Sequence, residues 1–366
     1  MTSHSFSDSP DFEHSSGFDD HPDLDLNRPG ALIAALPAIL GFTPENSLVL
    51  VSVDRGEVGA VLRVDLSADL IDELDDLVTV AAGASPEAAI VIIVDAEGAL
   101  CPLCIDGHQR LCTALADSLS VHDIPLWAAH LVDQVGVGGK WHCVDGCGSR
   151  GVVDDPESSP VTVAAVYDGR RLYGRRADLR AVFEIDDPHR PPRIAAAITA
   201  LQHGDVASPL DVGRSRGAVQ NTLEAIERAG VGATLTDAES AVLAYGLSDV
   251  QVRDTVYALA VGEHADAAET LWVGLSRCLP EPWRAEALVQ LAFCAYARSD
   301  GPLAGLALEE ALQIDPAHRM AGLLDSALRY GMRPERIREL ADTGYRLAQQ
   351  MGVELPARRV FRRRAG

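Results

Sequence analysis

The spacing of apolar residues changes once along this chain, near residue 193. Before that point, short apolar runs alternate with segments of helical periodicity, and after it apolar residues recur only at intervals of three and four. The alternation indicates an α/β fold with a mixed sheet and flanking helices, whereas the second half indicates an all-α, repeat-like helical domain. We therefore predict an α/β domain at 28–185, a linker with three prolines at 186–193 and a helical domain at 194–350.

The first half contains the elements expected of a mixed sheet. The predicted order is a helix at 31–40, strands at 47–53 and 58–66 joined by a turn at 54–57, a helix from Ser67 to Val80, a strand at 89–94, a helix at 107–119, and strands at 124–132, 140–144 and 161–166. Pro37 is expected to kink or end the first helix near Leu36. Asp106 and Gln109 have the spacing of a capping box, which predicts a helix start at 107.

In the second half, the segment 285–316 resembles a tetratricopeptide unit. Small and apolar residues occupy the positions at which that repeat nests two helices, and a proline follows the second helix. These residues are Leu288, Leu291, Ala292, Ala304, Leu308, Ala311 and Pro316. Because the flanking segments match the repeat poorly, we expect a helical hairpin within a bundle and not a long array.

The formal net charge of -23 at pH 7 limits the partners of the chain. A surface this acidic repels phosphate backbones, so binding of nucleic acid by the whole protein is not expected. Residues 1–27 hold seven acids and no lysine or arginine, which predicts a disordered acidic tail. Residues 351–366 carry five arginines and form a basic tail, which is either solvated or in contact with nucleic acid or anionic lipid.

No apolar stretch approaches the roughly 18 residues of a membrane span, and the N-terminus lacks the basic start and apolar run of a secretion signal. A cytoplasmic location is therefore expected. The seven cysteines are odd in number and spread through a long chain, so reduced thiols or a metal are expected in preference to structural disulfides.

Two motifs carry a resemblance to a known family. The segment 36–49, Leu-Pro-Ala-Ile-Leu-Gly-Phe-Thr-Pro-Glu-Asn-Ser-Leu-Val, is similar to the opening signature of domain of unknown function 4192, a family found mainly in actinobacteria, and 63–66, Arg-Val-Asp-Leu, is similar to its second signature. Further similarity follows at Trp141, at 176–179 and at 271–272, so the resemblance spans roughly 28–345. It implies the architecture above and an actinobacterial source, and it implies no activity.

Two close pairs of cysteines are the sharpest candidates for chemistry. Cys101, Cys104, Cys143 and Cys147 could supply four sulfurs to a tetrahedral zinc. If the strands at 89–94 and 124–132 are parallel, however, the strand at 140–144 carries Cys143 away from Cys101, and we expect unliganded thiols and no cofactor. A redox role for Cys104 is weakened by the loop expected between it and the helix start, because reactive pairs normally lie on the first helical turn. In the family, adjacent cysteines and a proline often follow the tryptophan, whereas here Cys143 and Cys147 are separated.

Three charged residues are candidates for ligand binding. Arg63 and Asp65 are two apart on a strand and so face the same side, where the arginine could hold a carboxylate or phosphate beside the acid or simply form an ion pair within the sheet. Asp95 follows a strand at the position where open α/β sheets bind ligands, although many strands end in Asp to start a turn. His108, His122, His130 and His142 cluster in sequence, and surface or hydrogen-bonded roles are expected for them.

Common catalytic signatures are missing from the sequence. The glycine-rich run 136–140 has Gln134 where a phosphate-binding loop needs glycine, and neither a Gly-x-Ser-x-Gly elbow nor a His-Glu-x-x-His helix occurs. The leading hypothesis is therefore a non-enzymatic binding module, with a small-molecule or peptide ligand on the α/β domain and a protein partner on the helical domain. The alternative is an enzyme or metabolite sensor whose site lies at the strand ends, around Arg63, Asp65 and Asp95.

Overall fold

The computed structural model describes residues 24–67, 69–83, 85–167, 170–204 and 212–359. Within these residues, six strands form one mixed sheet in the order β2-β1-β3-β4-β5-β6. The strands are β1 (Ser47–Asp54), β2 (Glu57–Asp65), β3 (Ala88–Val94), β4 (Leu126–Val132), β5 (Lys140–Cys143) and β6 (Arg150–Val152). β3 and β4 are parallel, and every other neighbouring pair is antiparallel.

Fourteen α-helices accompany the sheet in the described parts of the chain. They are α1 (Pro29–Leu40), α2 (Leu74–Ala82), α3 (Pro102–Ser120), α4 (Pro160–Tyr167), α5 (Arg176–Arg180), α6 (Arg190–Gly204), α7 (Val212–Gly230), α8 (Asp237–Leu247), α9 (Val250–Val256), α10 (Ala265–Ser276), α11 (Trp283–Ala297), α12 (Gly301–Ile314), α13 (Arg319–Arg329) and α14 (Pro334–Met351). The predicted fold class, a mixed α/β sheet followed by an all-helical region, is confirmed.

Strands β1 and β3 are buried on both faces, and the alternation of their side chains divides the core. Leu48, Leu50, Val91 and Ile93 belong to a cluster that packs against α2 and α3. Their neighbours in sequence, such as Val49 and Ile92, face the opposite side and join a second cluster with α1. This second cluster is continuous from Leu32 to Val353, so the same apolar core extends from the sheet into the helical region.

The hairpin of β1 and β2 forms as its sequence predicts. Arg55 and Gly56 connect the strands with φ values of 54° and 79°, which are the left-handed conformations of a tight hairpin turn. Because β1 is also antiparallel to β3, the start of β1 lies beside the end of β3, with Ser47 paired to Val94. This pairing places the segment before β1 next to the residues that follow β3.

Three predictions about elements of the first half are wrong. Ser67 does not cap a helix, since turns follow it and α2 begins only at Leu74. The segment 161–166 is not a strand but part of α4, where Thr162 and Ala165 are buried three residues apart, as on one helix face. The capping box at Asp106 does not start a helix, because α3 already begins at Pro102. Pro37 lies inside α1, which continues to Leu40.

The helical region begins inside the segment predicted as a linker. Pro191 and Pro192 lie in the first turn of α6, which starts at Arg190, where a missing N–H costs no helical hydrogen bond. The tetratricopeptide-like segment consists of α11 and α12, connected by Arg298, Ser299 and Asp300. The division of the chain into two domains stays a prediction.

The predicted tails lie partly outside the described residues. Residues 1–23 and 360–366 are not described, whereas Leu24 and Leu26 pack against the core. Arg358 and Arg359 form ion pairs with Asp342 and Asp266, at 2.7 and 3.0 Å. No helix in the described part of the chain has the length and apolar character to cross a membrane.

Candidate functional site

A cleft opens beyond the end of β3, on the face of the sheet covered by α2 and α3. Its volume is about 310 Å³, near the lower limit for small-molecule sites. The elements that form it are the segment before β1, the end of β2, the turn that follows, the residue after β3 and the second turn of α3. Its lining residues are Asn46, Leu66, Ser67, Leu70, Ile71, Asp95, Gly107, His108 and Leu111.

Asp95 is the fixed acid of this cleft. Its Oδ1 accepts hydrogen bonds from the backbone N–H groups of Gly98 and Glu97, at 2.8 and 3.2 Å. Its Oδ2 lies 2.9 Å from Nε2 of His108, and both side chains are largely buried. Asp95 therefore starts a turn, as the simpler interpretation expected, and also holds a histidine from α3 inside the cleft.

Gly98 leaves no room for a side chain beside this pair. A Cβ atom at this position would lie 2.0 Å from Asp95 Oδ2 and 3.0 Å from His108 Nε2. The turn 95–98 thus closes over the carboxylate. Its backbone at Gly98 lies so close to Asp95 and His108 that only a residue without a side chain fits there.

The charge of the lining is one-sided. Asp95 is its acid, and His108 is the partner of Asp95. Among the described residues, nine line the cleft, and none of them is lysine or arginine. A carboxylate offers about four acceptor positions, of which three are used here. The cleft thus suits a ligand that donates hydrogen bonds or carries positive charge.

Arg63 and Asp65 lie outside the cleft. Leu62, Val64 and Leu66 pack against the cluster of α2 and α3, so the alternation of β2 turns Arg63 and Asp65 to the other face. There Arg63 is 2.5 Å from the Asp65 carboxylate and donates to Ser47 Oγ at 2.8 Å. Its guanidinium also lies 5.9 Å from the centre of the Phe42 ring. This geometry is that of an ion pair within the sheet, and it does not bring Arg63 together with Asp95.

The first cysteine pair lies at the start of α3. Cys101 is the N-cap residue, Pro102 follows, and Cys104 lies within the first turn. Hydrogen bonding from the backbone N–H of Cys104, and next from its thiol, lowers the pKa of Cys101 below its usual value. Cys104 is exposed and Cys101 is partly so. The objection that a loop separates Cys104 from the helix is therefore wrong.

The second cysteine pair lies elsewhere, at the end of β5 and in the following turn. Within the described residues, one group of three or more potential metal ligands has all its ligand atoms within 4.8 Å of one another: Cys143, Asp145 and Cys147. Cys101 and Cys104 do not belong to that group. The remaining cysteines, Cys112, Cys278 and Cys294, are buried.

Comparison with protein families assigns the chain to a family. The sequence profile described as Domain of unknown function (DUF4192) matches residues 29–335 of the 366. The chain belongs to this family. Neither the comparison with curated proteins nor that with solved structures finds a similar protein. Membership in DUF4192 confirms the resemblance seen in the sequence and brings no activity with it.

Sequence reasoning on this DUF4192 chain named Asp95 as a candidate but not the histidine that contacts it. His108 appeared only as one of several histidines expected to be on the surface or hydrogen bonded. The available signal was its position four residues after Cys104, in the next helix along the chain from Asp95, which begins at Pro102. A helix start at 107 obscured that signal, because it placed His108 at the N-terminus instead of in the second turn.

Proposed function

We propose that this chain is a binding protein whose cleft beside Asp95 takes a small polar ligand with an amine or several hydroxyl groups. The observation that carries the proposal is the Asp95–His108 pair, held at 2.9 Å within a cleft whose lining has an acid but no lysine or arginine. The carboxylate is partly buried and still has one acceptor position free. A ligand that donates a hydrogen bond to this position binds more tightly than one that cannot.

The small size and acidic lining of the cleft argue against phosphorylated ligands. A phosphate would need a basic side chain or a cluster of free N–H groups to offset its charge, and the overall charge of -23 works against its approach. Metabolite sensing and catalysis at the strand ends both require this binding step, so the alternative function inferred from the sequence shares the same site.

Thermal denaturation in the presence of four ligand classes tests the proposal. Purified protein is heated with amino acids and polyamines, with sugars and polyols, with nucleosides, and with phosphorylated metabolites. We expect an amine or polyol class to raise the Tm, because a ligand at 100 times its Kd stabilises the folded state by about 2.7 kcal/mol. A response confined to phosphorylated metabolites, or no response to any class, would contradict the proposal.

We also propose that the helical region engages a protein partner, in a groove between α7 and the α8–α9 pair. The groove has a volume of about 490 Å³ and is bordered by Val242, which is partly exposed, and Tyr245. Tyr245 accepts a hydrogen bond from Arg214 at 2.6 Å, which fixes an aromatic ring in the groove wall.

Cross-linking in a bacterial lysate tests the groove as a docking site and should yield a defined adduct that Val242→Asp abolishes. An adduct unaffected by Val242→Asp would place the partner elsewhere.

A second candidate function is thiol–disulfide exchange at Cys101 and Cys104. It is favoured by the position of the two thiols at the N-cap and in the first turn of α3, where the helix stabilises a thiolate. Leu100 precedes Cys101 and Leu103 lies between the two cysteines, with 74% and 81% of their surfaces exposed, which offers apolar contact to a substrate polypeptide. A location in the cytoplasm, where disulfides are reduced, fits this function and is part of the proposal.

The exchange proceeds in two steps. Cys101 thiolate attacks a disulfide of the substrate protein, which forms a mixed disulfide and releases one substrate thiolate that takes a proton from water. Cys104 then gives its proton to water and attacks Cys101 Sγ, which forms the Cys101–Cys104 disulfide and releases the second substrate sulfur as a thiolate that takes up a proton. The chain is oxidised by two electrons and the substrate is reduced by two, and two molecules of a low-molecular-weight thiol then reduce the Cys101–Cys104 disulfide and are themselves oxidised to a disulfide.

Equilibration in glutathione buffers tests this second candidate. After thiols are trapped by alkylation, peptide mapping should show a disulfide between Cys101 and Cys104 whose fraction follows the glutathione ratio. The buried Cys112 is the internal control and should stay reduced, because burial raises its pKa to about 12. A pair that stays dithiol at every ratio would exclude the redox function without affecting ligand binding in the cleft.

A further inference from the structure

The turn between β5 and β6 gathers three side chains of types that can bind a metal. Cys143 ends β5, and Asp145 and Cys147 follow in the turn, with their ligand atoms within 4.8 Å of one another. The backbone N–H of Cys147 donates to Asp145 Oδ1 at 2.9 Å, which holds the turn closed and leaves the other carboxylate oxygen for a ligand. Gly146 and Gly148 have φ values of 86° and 77° and permit this tight path.

A histidine lies beside the group on the neighbouring strand. His130 of β4 is paired with Cys143 of β5, and its Nδ1 lies 3.4 Å from Cys143 Sγ. In a tetrahedral zinc site with Zn–S near 2.3 Å and Zn–N near 2.0–2.1 Å, a sulfur and a nitrogen ligand are about 3.6 Å apart. The observed separation of the two atoms is therefore close to the edge of such a tetrahedron.

The environment of His130 suits a metal ligand. Its side chain is buried, and the ring of Trp141 meets it edge to face with the centroids 5.4 Å apart, which fixes the imidazole plane. Asp145 and Cys147 are exposed on a short turn, so they can close onto a metal held by Cys143 and His130 with little movement of the sheet.

We infer that His130, Cys143, Asp145 and Cys147 form a site for a zinc-like divalent cation. Binding displaces the protons of the two thiols to solvent, so the cation meets two thiolates, one carboxylate and one neutral imidazole. Four protein ligands close the coordination shell, which makes the site structural and ties the β5–β6 turn to β4. This assignment keeps the second cysteine pair of the four-sulfur hypothesis and replaces the first pair with a histidine and an aspartate.

Metal titration of the full-length chain tests the inference. Reduced, metal-free protein is titrated with zinc in competition with a chromophoric chelator, and with cobalt, whose sulfur-to-metal absorption band reports thiolate ligands. We expect one zinc per chain and a cobalt spectrum typical of two thiolates in a tetrahedral site. Cys143→Ser and Cys147→Ser should each weaken zinc binding by at least a hundredfold, and His130→Gln by at least tenfold.

The first cysteine pair provides the matched control. The double variant Cys101→Ser/Cys104→Ser also removes two thiols and should leave zinc affinity unchanged. Failure of the wild-type chain to bind zinc would overturn the inference. So would undiminished binding by Cys147→Ser, or loss of binding in the Cys101→Ser/Cys104→Ser variant, which would restore the four-sulfur site.

Discussion

His108 Nε2 lies 2.9 Å from Asp95 Oδ2, so a side chain of α3 is hydrogen bonded to the residue that directly follows β3. The contact joins the strand, the turn and the helix at the point where the cleft opens. Because two backbone N–H groups hold the other carboxylate oxygen, Asp95 presents a fixed orientation to a ligand. The consequences of this arrangement can be tested without knowing the ligand.

Gly98→Ala should disrupt the Asp95–His108 pair. The added Cβ would lie 2.0 Å from Asp95 Oδ2, so the carboxylate must rotate away and give up its hydrogen bonds to His108 and the turn. We expect a loss of about 1–3 kcal/mol in the free energy of unfolding by urea. Gly136→Ala is the control, since nothing lies within 4 Å of its Cβ position, and its unfolding should change little. Equal effects of the two substitutions would contradict the packing described here.

Arg284 of α11 and Glu310 of α12 form an ion pair that is largely buried. Arg284 Nη1 donates to Glu310 Oε1 at 2.7 Å, and its Nη2 donates to the carbonyl of Phe183 at 3.1 Å, before the helical region begins. Glu310→Gln should therefore lower the free energy of unfolding by about 3 kcal/mol. Glu309→Gln breaks a pair with Arg176 that is about 40% exposed, and should cost between about 0 and 1 kcal/mol.

Acid should destabilise the chain partly through Glu310. Burial alone would raise its pKa, but hydrogen bonds from Arg284 and Arg180 outweigh that effect and lower the pKa below the usual value of 4.5. A carboxyl whose pKa is lower in the folded state contributes stability above pH 4.5, and this contribution is lost as the pH falls through the folded pKa. Urea unfolding should show a weaker dependence on pH below 4.5 in Glu310→Gln. An unchanged acid dependence would show that Glu310 is not responsible.

Two helical glycines should respond to alanine with opposite signs. A Cβ on Gly344 of α14 would lie 2.5 Å from the carbonyl oxygen of Thr255 and 2.8 Å from Ala258 Cβ. Overpacking of this kind costs about 1–3 kcal/mol. Gly274 is exposed on α10 with nothing near its Cβ position, so Gly274→Ala should stabilise by about 1 kcal/mol through helix propensity. Thermal melts of the two variants should shift in opposite directions.

The elements that sequence alone could predict are those with a strong local signal. The β1–β2 hairpin has a turn at Arg55 and Gly56 between two apolar runs, and β3 is a continuous apolar run, so both were found. The helical half follows from periodicity of three and four.

The errors arise where two local signals compete or where tertiary contacts decide. Pro102 at the first position of α3 and the Asp106–Gln109 spacing both indicate a helix start, and the structure uses the proline. The β-branched residues of 161–166 favour a strand, but packing of α4 against α1 makes the segment helical.

The side-chain contacts of the cleft and of the proposed metal site also depend on tertiary structure, so they could not be predicted from sequence. The Asp95–His108 pair and the His130–Cys143 contact each join residues 13 apart through elements whose starts and registers are set by the sheet.

Equilibrium binding of the amine or polyol that raises the Tm, compared among wild type, Asp95→Asn and Asp65→Asn, tests the central claim most directly. Both substitutions remove one carboxylate charge, but Asp95 lines the cleft whereas Asp65 lies on the other face of the sheet. We predict at least tenfold weaker binding for Asp95→Asn and unchanged binding for Asp65→Asn. Binding that is equal in Asp95→Asn and wild type, or is lost in Asp65→Asn, would contradict the assignment of the cleft as the ligand site.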